Sequence, residues 1–173
     1  SYNIGFDELN FDYIRFPSDG PMKDIYFPWS NGRKKSDVLE EFFKYLHDNL
    51  KNTGVKLSVD LFGMTTTVSG DMGIGQTLEN TLPYFDYVSP MVYPSHYPPT
   101  WNGFSNPAEY PYEVVKIAMT RAIEREQLWL QKNNFSTSTP SKFRPWLQDF
   151  NLGATYGPDK VRAQIQATYD SGL

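Results

Sequence analysis

Four short runs rich in β-branched, aliphatic and aromatic residues alternate along the chain with longer stretches of helical periodicity. Ile4–Phe16, Val55–Phe62, Tyr84–Tyr93 and Phe143–Phe150 read as strands. Between the first two, Val38, Phe42, Leu46 and Leu50 recur at i, i+4 through Ser36–Asn52, and Gly54 stands just past the end as a helix stop. A shorter helix is expected over Gly75–Leu82. Pro111–Lys132 opens on a proline and carries Val114, Val115, Ala118, Met119, Ala122 and Ile123. Pro158–Ser171 sets Val161, Ile165 and Tyr169 on one stripe. Strand followed by helix, repeated, is the pattern of parallel strands joined by crossovers.

Alternation within the strands assigns their faces. In the first, Leu9, Phe11 and Tyr13 form an apolar side opposite Glu8, Asn10 and Asp12. In the second, Val55, Leu57, Val59 and Leu61 oppose Ser58 and Asp60. A strand roofed by helices is apolar beneath them, so the polar sides are expected to point into a barrel. The fold class is therefore α/β, of the (β/α)₈ TIM-barrel type. Four units in 173 residues fall short of the roughly 250 that a full barrel takes. The chain begins almost inside a strand and stops directly after a helix. The expectation is a partial barrel, with residues 1–173 one domain and the missing strands supplied by the rest of the same protein.

The loops change the picture. Pro17–Lys35 and Pro94–Tyr110 are long and rich in Pro, Gly and aromatics, and Gly63–Gly73 in Thr and Gly; such connections usually carry function. Aromatic residues make up 16% of the chain, many in segments where core packing does not account for them, and flat apolar rings suit the faces of sugars. A net charge of −4 argues against nucleic acid, which needs a basic face. No apolar run approaches the ~20 residues of a membrane span. The absence of cysteine excludes disulfides and thiolate chemistry. Asp19 and Asp71 lie in loops without metal-binding spacing, and no phosphate-binding glycine loop is present. Neither a metal nor a cofactor is expected.

Two carboxylates near the ends of adjacent strands suit glycosidic bond cleavage, in which one carboxyl protonates the leaving oxygen and the other attacks or activates water. Asp12 and Asp60 fit by type, parity and position. Asp12 is expected as nucleophile or base and Asp60 as acid, with roles exchangeable; the bland alternative makes one of them a structural carboxylate. Asp149 is a third candidate, off the parity of Arg144, Trp146 and Gln148. Arg15, Tyr93, His96, Tyr97, Trp101, Trp146 and Gln148 are candidate substrate contacts, each weighed against ordinary loop packing. Arg15 suits either a charged sugar or a loop carboxylate. Glu8 is expected to pair with Arg144, Asn10 to support Asp12, and His47 to be solvated surface.

The runs FDELNFDYIRFPSDG (Phe6–Gly20), SVDLFGMTT (Ser58–Thr66), FDYVSPMVYPSHY (Phe85–Tyr97) and RPWLQDF (Arg144–Phe150) resemble a bacterial family of glycoside hydrolases first catalogued as a domain of unknown function. The resemblance spans nearly the whole chain and keeps the order of four motifs. It implies that the strands are about the fourth to the seventh of the barrel. A more distant likeness is to family-eighteen chitinases and their DxxDxDxE strand. Asp7, Asn10 and Asp12 match its first three acidic positions, while Ile14 stands where the catalytic Glu belongs. In MVYP (Met91–Pro94), Pro94 replaces the Asp of the chitinase Met-x-Tyr-Asp motif. Chitinase chemistry is thereby argued against. The reading is a hydrolase of O-glycosidic bonds in a polysaccharide, at the cell envelope or outside the cell. The alternative is a non-catalytic glycan-binding or envelope protein on a barrel that lost its chemistry.

Overall fold

A computed structural model describes residues 1–173, the side chain of Tyr2 excepted. Four strands, β1 (Glu8–Phe11), β2 (Lys56–Phe62), β3 (Tyr87–Val92) and β4 (Trp146–Leu147), form one sheet in the order β1-β2-β3-β4. Every pairing is parallel. Three helices accompany them: α1 (Lys35–Leu50) after β1, α2 (Pro111–Lys132) after β3, and α3 (Pro158–Asp170) after β4. A parallel sheet in sequence order with intervening helices is half of a barrel wall. Among the described residues, no helix is long and apolar enough to cross a membrane.

The core lies between sheet and helices. Leu57, Val59 and Leu61 of β2 and Val88 and Val92 of β3 are buried against Phe43 of α1 and Val114, Val115, Ala118, Met119 and Ala122 of α2. The expected parity holds on β2, where Ser58 and Asp60 occupy the opposite, concave side and are also buried. It holds on β1 through Leu9 and Phe11, and Phe11 meets Phe85 edge-on at 6.2 Å. At Tyr13 it fails. That residue has φ 56° and is exposed, because the strand ends at Phe11 and the chain turns.

The sequence overstates several elements. Only Glu8–Phe11 of Ile4–Phe16 is strand; Tyr2–Ile4 form a 3₁₀ turn. Of Phe143–Phe150, two residues pair fully and Phe143 adds an isolated bridge to Val88, Pro145 lacking the N–H that a continuous ladder requires. Gly75–Leu82 is a series of turns and not a helix. It is short for a helix, Gly75 has φ 85°, and Thr81 folds its hydroxyl back onto the Leu78 carbonyl. In place of a helix, Arg125 of α2 grips this connection. It holds Glu79 with Nε and Nη2 at 2.7 and 2.6 Å and also binds the carbonyls of Thr65 and Val68.

Two helix stripes are rotated from expectation. On α1 the buried residues are Leu39 and Phe43, while Phe42 is exposed and stacks on Tyr45. On α3 they are Gln164 and Ala167, and Ile165 and Tyr169 face outward. His47 is not simply solvated: its Nδ1 lies 2.9 Å from the Tyr84 carbonyl.

Candidate active site

The polar positions of all four strands converge on the concave face. Register aligns Asn10 with Ser58, Ser58 with Tyr87, Asp60 with Ser89, and Phe62 with Met91 and Trp146. On this face Arg144 donates to Glu8 at 2.9 Å, as expected, in a pair that stays accessible to solvent, and its guanidinium lies over the Tyr87 ring. This pair links β1 to the residues that lead into β4. It forms a floor of compensated charge beneath the strand ends.

Asp60 sits one layer higher, only 5% exposed. Asn10 donates to its Oδ2 at 3.0 Å and the Trp146 indole N–H to its Oδ1 at 2.9 Å. Ser58 in turn donates to the Asn10 carbonyl oxygen at 2.7 Å, fixing which end of that amide faces Asp60. Asn10 was expected to serve Asp12; it serves Asp60. Burial pushes the Asp60 carboxyl above its ordinary value, the Trp146 and Asn10 hydrogen bonds pull it down, and the nearby charge of Asp12 adds a smaller upward push. The net direction is up. Asp12, exposed just past β1, accepts the backbone N–H of Tyr13 at 2.6 Å.

Tyr93 lies within electrostatic range of the three candidate carboxylates. Its phenol is raised first by burial and then by the charges of Asp60, Asp12 and Asp149. Tyr93, His96 and Phe150 pack with centroids 5.3 to 6.2 Å apart. His96 is exposed, and its Nδ1 lies 3.1 Å from the Ser95 hydroxyl. Arg15 reaches the Phe16 carbonyl, the Ser18 hydroxyl and the Tyr13 phenol, and lies over the Tyr13 and Phe62 rings; it clamps no loop carboxylate directly. Trp146 is half-exposed beside Asp60.

Two expected contacts lie elsewhere. Gln148 is fully buried; its amide accepts from Ser95 N and donates to the carbonyls of Phe150 and Leu152, which staples the loop after β4 and leaves no surface for a ligand. Tyr97 is 4% exposed and packs on Trp101 at 4.6 Å. It walls a small cavity of about 90 Å³ together with Phe62, Gly63, Met64, Met91 and Tyr93.

One residue escaped the sequence reading. Gln76, 1% exposed, accepts from Phe62 N at 2.9 Å and donates to the Ile14 carbonyl at 2.9 Å. It ties the end of β2 to the loop after β1, the two segments that carry Asp60 and Asp12. Nothing in a turn-rich segment marks a glutamine for this task.

Among the described residues, no three His, Asp or Glu side chains gather as a metal-binding set. A family model described as "Putative glycosyl hydrolase domain" matches residues 1–173. No curated protein and no solved structure matches the chain.

Proposed function

Because the chain belongs over its whole length to the family described as "Putative glycosyl hydrolase domain", we propose that the concave face cleaves O-glycosidic bonds by two-carboxylate chemistry. In this reading the strands stand as the fourth to seventh of a (β/α)₈ barrel, and the site lies at their carboxyl ends, where such barrels do their chemistry. Asp60 is the acid and delivers its proton to the leaving glycosidic oxygen. Asp12, exposed just past β1, attacks the anomeric carbon or takes a proton from the water that does. The substrate is a polysaccharide, and Trp146, half-exposed beside Asp60, offers ring surface to it.

The observation that carries the reading is Asp60 itself. A carboxyl buried at a strand end, held by two side-chain N–H groups and raised by burial, has the character of an acid poised for proton delivery. The second carboxylate is near enough for its charge to act on Asp60. Opposed environments for two carboxylates are how acid and base roles separate.

The test uses the full-length protein that carries this domain, screened first against a glycan panel. On a substrate whose leaving group needs no protonation, Asp60→Asn retains most of the wild-type rate, while Asp12→Asn is inactive on every substrate. Equal losses for both variants on the activated substrate sink the assignment of roles. A wild-type protein that binds glycans and hydrolyses none sinks the enzyme reading.

A further inference from the structure

The small cavity at the ends of β2 and β3 takes no part in the proposed proton transfer. Phe62, Met64, Met91, Tyr93, His96 and Tyr97 wall it. Alternation puts Phe62 on the same side of β2 as Asp60. Met91 pairs with both Phe62 and Trp146, and the Trp146 indole holds the Asp60 carboxyl. The cavity therefore adjoins the acid. β2 and β3 are the middle strands, each paired on both sides, so the cavity is no by-product of an open sheet edge.

Size and polarity decide what fits. At about 90 Å³ the cavity exceeds the roughly 10–15 Å³ that one water needs, yet falls short of the roughly 300 Å³ of a site enclosing a whole small molecule. It takes a substituent and not a sugar ring. Phe62 and the thioethers of Met64 and Met91 offer no strong hydrogen-bonding group. The Tyr97 phenol oxygen is buried, out of reach of an occupant. The Tyr93 phenol lies on the cleft side, within range of the charges of Asp60, Asp12 and Asp149. His96 is exposed at the mouth, its Nδ1 beside the Ser95 hydroxyl. A hydroxyl pushed among the methionines loses its water and gains no equivalent partner, whereas a methyl group has no such loss. An acetamido group fits by size, but its N–H and carbonyl meet the same lack.

We infer that this cavity receives the C6 methyl of a 6-deoxyhexose in the glycan held at Asp60, an inference that rests on the glycosidase reading. A 6-deoxyhexose presents a bare methyl, with no heteroatom between it and the sugar ring. The two methionines adjust their flexible side chains around it, and Tyr93 and His96 remain for the hydroxyls outside. A sugar with a full set of hydroxyls has to leave its C6 oxygen unpaired there or keep that group out of the cavity.

The test reads binding, so it stands apart from turnover. Methyl glycosides of L-rhamnose, L-fucose and 6-deoxyglucose are titrated into the full-length protein against those of L-mannose, L-galactose and glucose, their hydroxylated counterparts. Methyl N-acetylglucosaminide is the acetylated arm. The methyl resonances of Met64 and Met91, assigned with Met64→Leu and Met91→Leu, report the location. At least one 6-deoxy glycoside is expected to bind saturably, move both resonances and exceed its counterpart by about tenfold. Met64→Gln, close in size, sets an amide in the wall and is expected to remove most of that preference; Met91→Gln replaces it should it fail to fold. The wild-type comparison decides alone if neither folds. The inference is overturned if no 6-deoxy glycoside moves these resonances, if the counterparts bind as well, if only the acetylated sugar binds there, or if a folded glutamine variant keeps the preference. Glycan hydrolysis without the preference sinks this inference alone, and the preference without hydrolysis sinks only the enzyme reading.

Discussion

The indole N–H of Trp146 reaches the Oδ1 of Asp60 at 2.9 Å across 86 residues of sequence. Asn10 holds the other oxygen, so the carboxyl of β2 is gripped from β1 on one side and from β4 on the other. This bond and the Asn10 bond both lower the Asp60 pKa against the larger effect of burial. Trp146→Phe keeps an apolar ring and removes the donor, so Asp60 holds its proton to higher pH. The basic limb of the kcat/KM profile is expected to move upward in this variant. A loss of rate at all pH values with an unmoved limb would leave Trp146 only a packing role.

The raised Asp60 pKa also bears on stability. The folded state holds this proton more tightly than the unfolded chain does, so Asp60 helps the fold below its ordinary value of 3.8. That contribution is lost as pH rises through the raised folded value. Asp60→Asn removes the titration and sacrifices one hydrogen bond. The difference in Tm, variant minus wild type, is therefore expected to grow more positive as pH rises through this window. Thermal melts at a series of pH values check it; a difference flat with pH would contradict the burial of this charge.

Gly63 follows β2 with almost no clearance. A methyl group added there would fall 2.3 Å from the Met91 carbonyl oxygen and 3.1 Å from the Tyr97 phenol oxygen. The nearer obstacle is backbone of β3 and cannot swing aside. Gly63→Ala is expected to lower stability by about 1–3 kcal/mol, or more if β3 resists displacement. Denaturant unfolding measures the loss, and a wild-type midpoint would show that the strands separate freely here.

Gln76→Ala deletes the bridge between Phe62 N and the Ile14 carbonyl at a fully buried position. A buried donor left unpaired costs about 1–3 kcal/mol. Since Asp60 and Asp12 lie on the two segments being joined, the variant is expected to lose activity beyond its loss of stability. Measuring kcat well below the variant's Tm separates the two effects.

The periodicities of the chain located all four strands and the three helices, because both faces of β2 and the core face of α2 carry unambiguous patterns. They overran where pairing, and not pattern, decides the length. Residues 12–16 include Tyr13, Ile14 and Phe16, all good strand formers, yet Tyr13 turns into the left-handed region and propensity does not report that. The α1 and α3 stripes were rotated because several residues on each helix are apolar, and only the neighbour chooses among them: α3 buries Gln164 to bond Gln148 and leaves Ile165 outside. The pairing of Glu8 with Arg144 was expected from the cost of a lone buried charge, and the pair forms although both side chains keep access to solvent. The Gln76 and Gln148 staples were not, since a glutamine's value as a two-ended clamp depends on which backbone groups the fold leaves unpaired.

The order of the sheet has a kinetic meaning. Each strand pairs only with its neighbours in sequence, yet because each pair is parallel no strand meets a partner through a tight turn. Asn10 and Ser58, side by side in β1 and β2, are 48 residues apart. No hairpin can start the sheet, and each addition must wait for an entire crossover to be closed at an entropic cost. A chain emerging from the ribosome would extend this wall in a single direction. Until the next unit is complete, the newest edge would stand open, with its backbone groups available to any passing strand.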